Sequence, residues 1–255
     1  MADFSMQLHQ GLSFWKPLQS IPRAEAVFWP GCALMQLDPV ILQRTLEILR
    51  REEPGMMMAA GCCGQPSVYL FPKKAGKRQS DLARRLRDRG VRRIYTACPN
   101  CAVELKKFSD FEITPIWIPL ARHLQAEELS PMAGTFVWHD PCPLRHAQEQ
   151  QDALRTLLKL AQCDFTEPEQ TRSRTQCCGN FHMLRSAAPE KSAVIRRRRL
   201  AQLDEGRTIL SCCEGCLDAF RSEGRDARHI LEYLFGESES RSWMNRIKTT
   251  KAPVK

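Results

Sequence analysis

The sequence contains no long apolar segment. A helix needs about 20 consecutive apolar residues to span a bilayer, and the most apolar stretch, residues 113–121, is short and interrupted by two prolines. The first residues lack the charged and then apolar pattern of a secretory signal. No Gly-x-Gly-x-x-Gly motif for a dinucleotide occurs either. We therefore expect a cytoplasmic chain with no transmembrane segment and no flavin or nicotinamide cofactor of its own.

Acidic residues are outnumbered, since 29 Asp and Glu stand against 38 Lys and Arg, for a formal charge of +9. Nucleic-acid surfaces combine such charge with interleaved stacking aromatics, whereas here the basic residues are spread over several segments. The densest run, residues 196–199, lies in a helical pattern. It is interpreted either as a solvated face or as a docking surface for an acidic electron-transfer partner. We expect no nucleic-acid partner.

Cysteine, in contrast, is abundant, with twelve residues in the chain. In a secreted chain they would predict disulfides, but that density belongs to much smaller scaffolds that cannot form a core. A chain of 255 residues can bury a core without such cross-links. The cysteines are therefore expected to be reduced thiolates that act as metal ligands or redox groups.

Ten of the cysteines form two matching series. Each has a single cysteine, an adjacent pair followed by glycine, and a Cys-x-x-Cys motif. In both, 34 residues separate the pair from the Cys-x-x-Cys motif, whereas the first gap is 29 residues in one series and 34 in the other. The first set is Cys32, Cys62, Cys63, Cys98 and Cys101, and the second set is Cys142, Cys177, Cys178, Cys213 and Cys216.

Flanking residues repeat as well. The tripeptide Ala-Arg-His occurs at residues 121–123 and again at residues 227–229. We interpret the two histidines, His123 and His229, as equivalent structural residues that cap helices. Together with the cysteine spacing, this predicts a tandem duplication.

The apolar periodicity predicts alternating strands and helices in both halves. Short buried strands are predicted at residues 26–29, 56–59, 93–97, 135–138 and 208–211. Helices are predicted at residues 39–51, 80–89, 147–161 and 189–203. Such alternation implies parallel strands joined by right-handed crossovers. The predicted fold is α/β, with two pseudo-symmetric repeats, each a small parallel sheet flanked by helices.

A segment punctuated by proline and glycine, residues 127–134, separates the two repeats. The first predicted domain spans residues 24–126 and the second spans residues 135–235. Residues 1–23 and 236–255 are predicted to be extensions outside the repeats.

Every cysteine motif lies where a predicted strand gives way to a loop or helix. Ligands of open parallel sheets gather at the carboxyl ends of the strands, so each set is expected to converge there. Gly64 and Gly179 follow the cysteine pairs and would let the backbone approach a cofactor and donate to sulfur. Zinc and a cubane 4Fe–4S cluster each take four ligands. Five convergent thiolates favour a more open cluster, but the count alone leaves that geometry open.

The order Cys, Cys-Cys-Gly, Cys-x-x-Cys, present twice, resembles the cysteine-rich CCG domain family. That family includes the B subunit of heterodisulfide reductase and related subunits of lactate, glycolate and glycerol-phosphate oxidising systems. The resemblance covers about residues 24–235. It implies that each set of five cysteines binds a noncubane 4Fe–4S cluster and that the two clusters cleave a substrate disulfide between them, each capturing one sulfur. It also implies a partner, either a flavoprotein or a ferredoxin-like iron–sulfur subunit, that supplies electrons.

Some residues have competing interpretations. Cys98 and Cys101 alone would suit a thioredoxin-type redox pair, and the two Cys-x-x-Cys motifs together would suit a zinc knuckle that leaves the adjacent pairs unexplained. Cys163 is interpreted as a core thiol. Cys212 is an additional thiol that departs from the family pattern, as does the short gap after Cys32.

Two histidines are candidate catalytic residues. His139 precedes Cys142, and His182 follows the second cysteine pair. Either could donate a proton to a departing thiolate. The alternative for both is simple packing near the end of a strand.

These patterns leave three functional hypotheses. The first is an enzyme subunit that reduces a small disulfide or heterodisulfide at paired clusters. The second is an electron-transfer module of a flavoprotein dehydrogenase complex with no substrate chemistry of its own. The third is a zinc-stabilised scaffold, which would contain zinc and no acid-labile sulfide.

Overall fold

The computed structural model describes residues 4–15, 18–236 and 241–251. Its strands form two four-stranded sheets of the same topology. The first sheet has the order β2-β1-β3-β4 and the second the order β6-β5-β7-β8, with every neighbouring pair parallel. The strands are β1 (Ala26–Trp29), β2 (Met57–Met58), β3 (Arg93–Thr96), β4 (Glu112–Pro115), β5 (Phe136–Trp138), β6 (Phe165–Thr166), β7 (Thr208–Ser211) and β8 (Ala227–His229). The predicted α/β fold of two parallel repeats is confirmed.

The strand register repeats along with the topology. Val27 of β1 pairs with Ile94 of β3, and Val137 of β5 pairs with Ile209 of β7. The first strand of each repeat, β1 or β5, is an inner strand and is buried along its whole length. Such burial explains why their sequences are continuous apolar runs without alternation.

Helices connect the strands and cover both sheets. They are α1 (Phe4–Ser13), α2 (Pro39–Leu49), α3 (Gln65–Leu70), α4 (Pro72–Asp88), α5 (Pro99–Leu105), α6 (Trp117–His123), α7 (Gln148–Leu160), α8 (Leu184–Ala187), α9 (Pro189–Leu200), α10 (Glu214–Arg221), α11 (Ile230–Phe235) and α12 (Trp243–Lys251). Within the described ranges no helix is both long and apolar enough to cross a membrane. The start of α2 shows how the sequence fixes these boundaries, because Asp38 accepts a hydrogen bond from Val40 N at 2.9 Å and proline occupies the first turn.

One apolar core lies between the two sheets. Phe28 and Trp138, from the central strands, meet there with the buried faces of α2, α6, α7 and α11. A second core, under α4 and α5, covers the other face of the first sheet, and a third, under α9 and α10, covers the other face of the second sheet. The shared central core packs the repeats side by side. The carboxyl ends of their strands therefore lie around one site.

The prediction that the two Ala-Arg-His segments are structurally equivalent is wrong. Residues 121–123 end helix α6, whereas residues 227–229 form strand β8. His229 does cap a helix, since its Nδ1 accepts a hydrogen bond from Leu231 N at 3.2 Å. His123 instead places Nε2 3.2 Å from a carboxylate oxygen of Glu52. Three residues match by chance in elements of different type.

The basic run at residues 196–199 is not one solvated face. Arg197 and Arg198 are exposed, but Arg196 and Arg199 are buried. Arg196 forms an ion pair with Glu223 at 2.7 Å, and Arg199 Nε donates a hydrogen bond to His139 Nδ1. Helical periodicity divides the run, so only two of its guanidinium groups are available to a partner.

The described parts of both extensions pack against the first repeat. Helix α12 lies against α2 and against the 3₁₀ turn Leu34–Gln36, where Asn245 Nδ2 donates to Gln36 O at 3.1 Å. Near the other terminus, Ser20 pairs with Ala60 through backbone hydrogen bonds of 2.9 and 2.7 Å. The N-terminal extension therefore meets the chain two residues before Cys62, and α12 meets it just after Cys32.

Candidate metal-binding site

The first set of cysteines meets at the carboxyl end of the first sheet. Cys32 follows β1, the pair Cys62 and Cys63 follows β2, Cys98 precedes α5 and Cys101 lies within α5. Their thiols lie within hydrogen-bonding reach of one another in the order Cys32, Cys62, Cys63, Cys101, Cys98. The topology thus joins five sulfur atoms that come from three strand ends.

The second set has the same arrangement. Its thiols lie within reach of one another in the order Cys142, Cys177, Cys178, Cys216, Cys213, which is the order of the equivalent residues in the first repeat. All twelve cysteines of the chain are free thiols. Neither set is cross-linked, so both are available as ligands.

The second cysteine of each set is the most acidic thiol. Hydrogen bonds from Cys32 and Cys63 hold the pKa of Cys62 well below its usual value. Equivalent bonds from Cys142 and Cys178 lower the pKa of Cys177 to about 2. The neighbouring thiols keep their protons, because a hydrogen bond to the adjacent thiolate raises their pKa. Each set therefore holds at least one thiolate, the form that binds metals.

A backbone donor supports each of these thiolates. Gly64 and Gly179 adopt left-handed conformations with φ of +90° and +89°. Gly64 N donates to Cys62 Sγ at 3.5 Å, and Gly179 N donates to Cys177 Sγ at 3.2 Å. Glycine makes this conformation accessible without the strain that a side chain would add.

A cavity of about 170 Å³ lies between the two sets. Asn100, in the first Cys-x-x-Cys motif, spans the gap, since its Nδ2 donates to Cys213 Sγ at 3.5 Å while its Oδ1 accepts from Gln65 Nε2 at 3.2 Å. The cavity walls carry sulfur atoms from both repeats. These cysteines are Cys32, Cys63, Cys98, Cys101, Cys142, Cys178, Cys212, Cys213 and Cys216.

His139 lies beside the second set. The residue is fully buried, and one ring nitrogen lies within 4.8 Å of the sulfurs of Cys178 and Cys216. Its Nδ1 accepts from Arg199 Nε at 3.1 Å, whereas Nε2 has no partner. Burial and the Arg199 charge lower the pKa of His139 to about 3. The ring is therefore neutral at pH 7, with its proton on Nε2.

The equivalent residue of the first repeat, by alignment of Cys32 with Cys142, is Trp29. It is also fully buried, its Nε1 has no partner, and it packs in the core that contains Cys63 and Cys101. Each repeat thus places an unpaired aromatic N–H group at the end of its central strand.

His182 is placed differently. It is exposed and stacks on Tyr69, with ring centroids 4.3 Å apart, and on Phe181, with centroids 3.6 Å apart. Its neighbours Phe181 and Met183 line the cavity, but His182 is not among the lining side chains. His182 and Met183 both have a positive φ, of 53° and 59°. Such strain is often found at functional sites.

The two remaining cysteines also differ. Cys212 is fully buried at the end of β7 and lines the cavity, and burial holds the pKa of this thiol well above its usual value. Cys163 packs half-buried against the central core, where burial raises its pKa to about 11. Cys212 is thus close enough to both sets to be a further thiol of the site.

The sequence did not indicate the network that supports the second set. Asp140 is fully buried and accepts hydrogen bonds from Trp138 Nε1 at 2.8 Å, Arg155 Nη2 at 2.6 Å, Thr171 Oγ1 at 2.8 Å and Arg172 N at 2.9 Å. Burial alone would raise the pKa of Asp140, but Arg155 holds it well below its usual range. The network fixes the loop that leads to the second cysteine pair. Its partners are distant in sequence, and no motif marks them.

Comparison with known proteins identifies the duplicated unit. The family model of the cysteine-rich domain CCG matches residues 26–106 and 136–221. The chain belongs to this family. A curated protein of Methanococcus maripaludis, described as an uncharacterized iron-sulfur protein, is 25% identical over 212 residues. The match covers 76% of this chain and 40% of that protein, so the chain spans well under two thirds of its relative's length.

Proposed function

We propose that this CCG chain is an iron–sulfur electron-transfer subunit that reduces a small disulfide with electrons from a partner. Each set of five cysteines would bind one noncubane 4Fe–4S centre, as the family resemblance implies. The observation that carries the proposal is the cavity walled by sulfur atoms of both sets. The iron–sulfur description of the archaeal relative supports the choice of metal.

The residues present fit such centres. Five free thiols converge in each repeat, whereas a zinc site takes four ligands. Gly64 and Gly179 donate to sulfur, as outer partners of metal-bound thiolates do. The proposed ligands are the ten cysteines of the two sets. The proposed domains are residues 24–126 and 135–235.

The location of the cavity suits two-electron chemistry. When bound, each centre would accept and release single electrons. Cleavage of a disulfide breaks one S–S bond, consumes two electrons and two protons, and releases two thiols. A disulfide in the cavity would lie between the two sets. The electrons would come from a flavoprotein or a ferredoxin-like iron–sulfur subunit, because the chain has no dinucleotide motif.

His139 is proposed to donate a hydrogen bond from Nε2 to a departing thiolate in the second repeat. The ring is neutral and keeps its proton, so the two protons of the cleavage come from solvent. Its Nε2 proton has no acceptor in the described chain, and a ring nitrogen lies within 4.8 Å of Cys178 and Cys216. Arg199 fixes the ring through Nδ1, so the donor is already oriented. His182 is proposed only to hold the Phe181 ring beside the cavity, because its own side chain lies outside the lining.

Anaerobic purification followed by single-turnover reduction tests the proposal. We expect about eight iron and eight sulfide ions per chain, four of each at both sets. The dithionite-reduced protein, freed of reductant, should convert glutathione disulfide or cystine to thiols with loss of its own reducing equivalents. Cys163→Ser, outside both sets, is the matched control and should behave as wild type.

Two results would overturn the proposal. Reduced centres that pass electrons to an acceptor dye, yet consume none of the disulfides tested, would support the electron-transfer module without substrate chemistry. Bound zinc without acid-labile sulfide would support the scaffold.

A further inference from the structure

We propose that the two terminal extensions form a cap over the first cysteine set, in which Arg246 is a buried counter-cation and Gln10 is a hydrogen-bond donor to Cys62. The inference rests on the proposed function, because it requires an anionic metal centre at that set. The family match begins at residue 26 and ends at residue 221, so both parts of the cap lie outside it.

Gln10 is oriented toward sulfur by its neighbours. The side chain is 1% exposed, and its Oε1 accepts from Ser67 Oγ at 2.9 Å. Ser67 is fixed in turn, since its Oγ accepts from Arg78 Nη1 at 2.7 Å. The amide nitrogen must therefore point the other way, and Nε2 lies 3.9 Å from Cys62 Sγ. This contact adds a second donor to the thiolate that Gly64 N already reaches.

Arg246 is a buried charge with no carboxylate partner among the described residues. It is 0% exposed, its Nη1 donates to Ser13 Oγ at 2.9 Å, and its guanidinium lies 4.9 Å from the centre of the Trp243 ring. Within residues 4–15, 18–236 and 241–251 no acidic side chain forms an ion pair with it, and Nε has no partner. A lone cation is unfavourable in a buried environment. An anion is expected opposite.

The first cysteine set is the anion that the fold brings toward Arg246, because α12 packs on the turn Leu34–Gln36 just after Cys32. Burial lowers the pKa of Arg246, and deprotonated Cys32 and Cys62 act against that shift. His9 completes the cap, because its ring packs on Trp243 with centroids 5.4 Å apart and it also lines the cavity. Burial lowers the pKa of His9, so Arg246 supplies the positive charge of the cap.

The second repeat provides a parallel from its own sequence. Arg199 is 0% exposed and bonds to His139, to Gln170 O at 2.8 Å and to Gln202 Oε1 at 2.9 Å, but to no carboxylate of the described chain. Burial lowers the pKa of Arg199, and the Asp140 carboxylate, followed by Cys216 and Cys178, acts against that shift. Each repeat thus has one fully buried arginine that forms no ion pair within the described ranges, and the first set receives its arginine from the terminal extension.

A redox titration of the intact, iron-loaded chain tests this assignment. Reduction adds negative charge, so a nearby cation stabilises the reduced form and raises the potential. Arg246→Gln should shift the reduction equilibrium of the first centre about tenfold toward the oxidised form, which equals about 59 mV for one electron. Arg246→Lys should retain most of the wild-type potential. Gln10→Leu should produce a smaller shift in the same direction.

The two arginines are each other's controls. Arg199→Gln should move the potential of the second centre and leave the first unchanged, and the exposed Arg84→Gln should move neither. Loss of one EPR signal in Cys62→Ser and of the other in Cys177→Ser assigns the signals to the sets. If Arg246→Gln does not hold iron, Gln10→Leu remains the test.

The outcomes separate this inference from the proposed function. A full iron and sulfide content with unchanged first-centre potential in Arg246→Gln, or in Gln10→Leu where that variant is the test, would overturn the cap alone. Equal shifts of both centres would also overturn it, because the effect would then be one of overall charge. A wild-type chain without iron and sulfide would overturn the proposed function and the cap with it.

Discussion

The two cysteine sets have the same order of sulfur atoms but different surroundings. The first lies beneath α1 and α12, with Gln10 and Arg246 brought to it from the ends of the chain. In the second, Cys177 is half-buried where its counterpart Cys62 is buried, and the support comes from the Asp140–Arg155 pair within the repeat. The two repeats share the order of their thiols, while each has its own supporting residues.

This difference has a physical reason. The positions of the sulfurs are fixed by strand ends and by left-handed glycines, which any copy of the fold reproduces. The groups around them need only supply charge and hydrogen bonds, and several elements can do so. We therefore expect the two centres to share ligand number and to differ in redox potential, stability and tolerance of substitution.

The largest expected effect comes from removing the most acidic thiol of either set. Cys62→Ser and Cys177→Ser should each lose about four iron ions per chain, half of the total, because each removes a ligand of one centre only. Iron and sulfide analysis with low-temperature EPR measures this. Loss of all iron in either variant would contradict the independence of the two sets.

Breaking the buried ion pair of the second repeat should destabilise the protein strongly. Arg155→Met leaves the Asp140 carboxylate buried without its main partner, which costs about 3–5 kcal/mol of the free energy of unfolding. The equivalent position by cysteine alignment is Thr45, whose hydroxyl donates to Ile41 O at 2.8 Å. Thr45→Val should cost only about 1 kcal/mol. Urea denaturation of the metal-free chain compares them, and equal costs would refute the asymmetry.

Gly64 and Gly179 have the same backbone conformation, so alanine substitutions at the two positions can be compared directly. Alanine in the left-handed region costs about 1–2 kcal/mol at either position. In Gly179→Ala the new Cβ would also meet Ser192 O at 2.5 Å, whereas in Gly64→Ala its nearest contact is Gln79 Cγ at 3.3 Å. Overpacking should therefore add about 1–3 kcal/mol in Gly179→Ala only. Thermal or urea unfolding that ranks Gly64→Ala as the less stable variant would contradict this packing.

The smallest expected effect comes from breaking a hydrogen bond between the two repeats. Asn100 belongs to the first repeat, yet its amide donates to Cys213 of the second set. Asn100→Ala removes one hydrogen bond, with a net value of about 0.5–1.5 kcal/mol. It should perturb the EPR signal assigned to the second centre more than that of the first. A change confined to the first signal would show that the contact across the cavity has no effect.

Much of this fold could be predicted from the sequence. The cysteine spacing predicted the duplication, and buried apolar runs predicted β1, β2, β3, β5 and β7 to within about two residues, the usual uncertainty of such boundaries. The other outer strands, β4, β6 and β8, were missed. β6 has only two residues, β4 ends in proline and β8 contains Arg228 and His229, so none has the apolar run that marks a buried strand.

The candidate ligands were also visible in sequence, because metal-binding chemistry is confined to few residue types. The supporting groups were not. Arg246 lies 233 positions from its hydrogen-bond partner Ser13, and Arg199 lies 60 positions from His139. Such pairs are set by tertiary packing. Most arginines lie at the surface, so the residue type alone does not show in the sequence which arginines are buried. The one apparent long-range repeat outside the cysteines, Ala-Arg-His, was misleading.

The most direct test of the central claim is a crystal structure of anaerobically purified protein with anomalous diffraction recorded at the iron edge. Two separate groups of iron peaks, each within bonding distance of its own five cysteines and on opposite sides of the cavity, are the predicted result. A single tetrahedral metal held by Cys98, Cys101, Cys213 and Cys216, or disulfides within either set, would contradict the account.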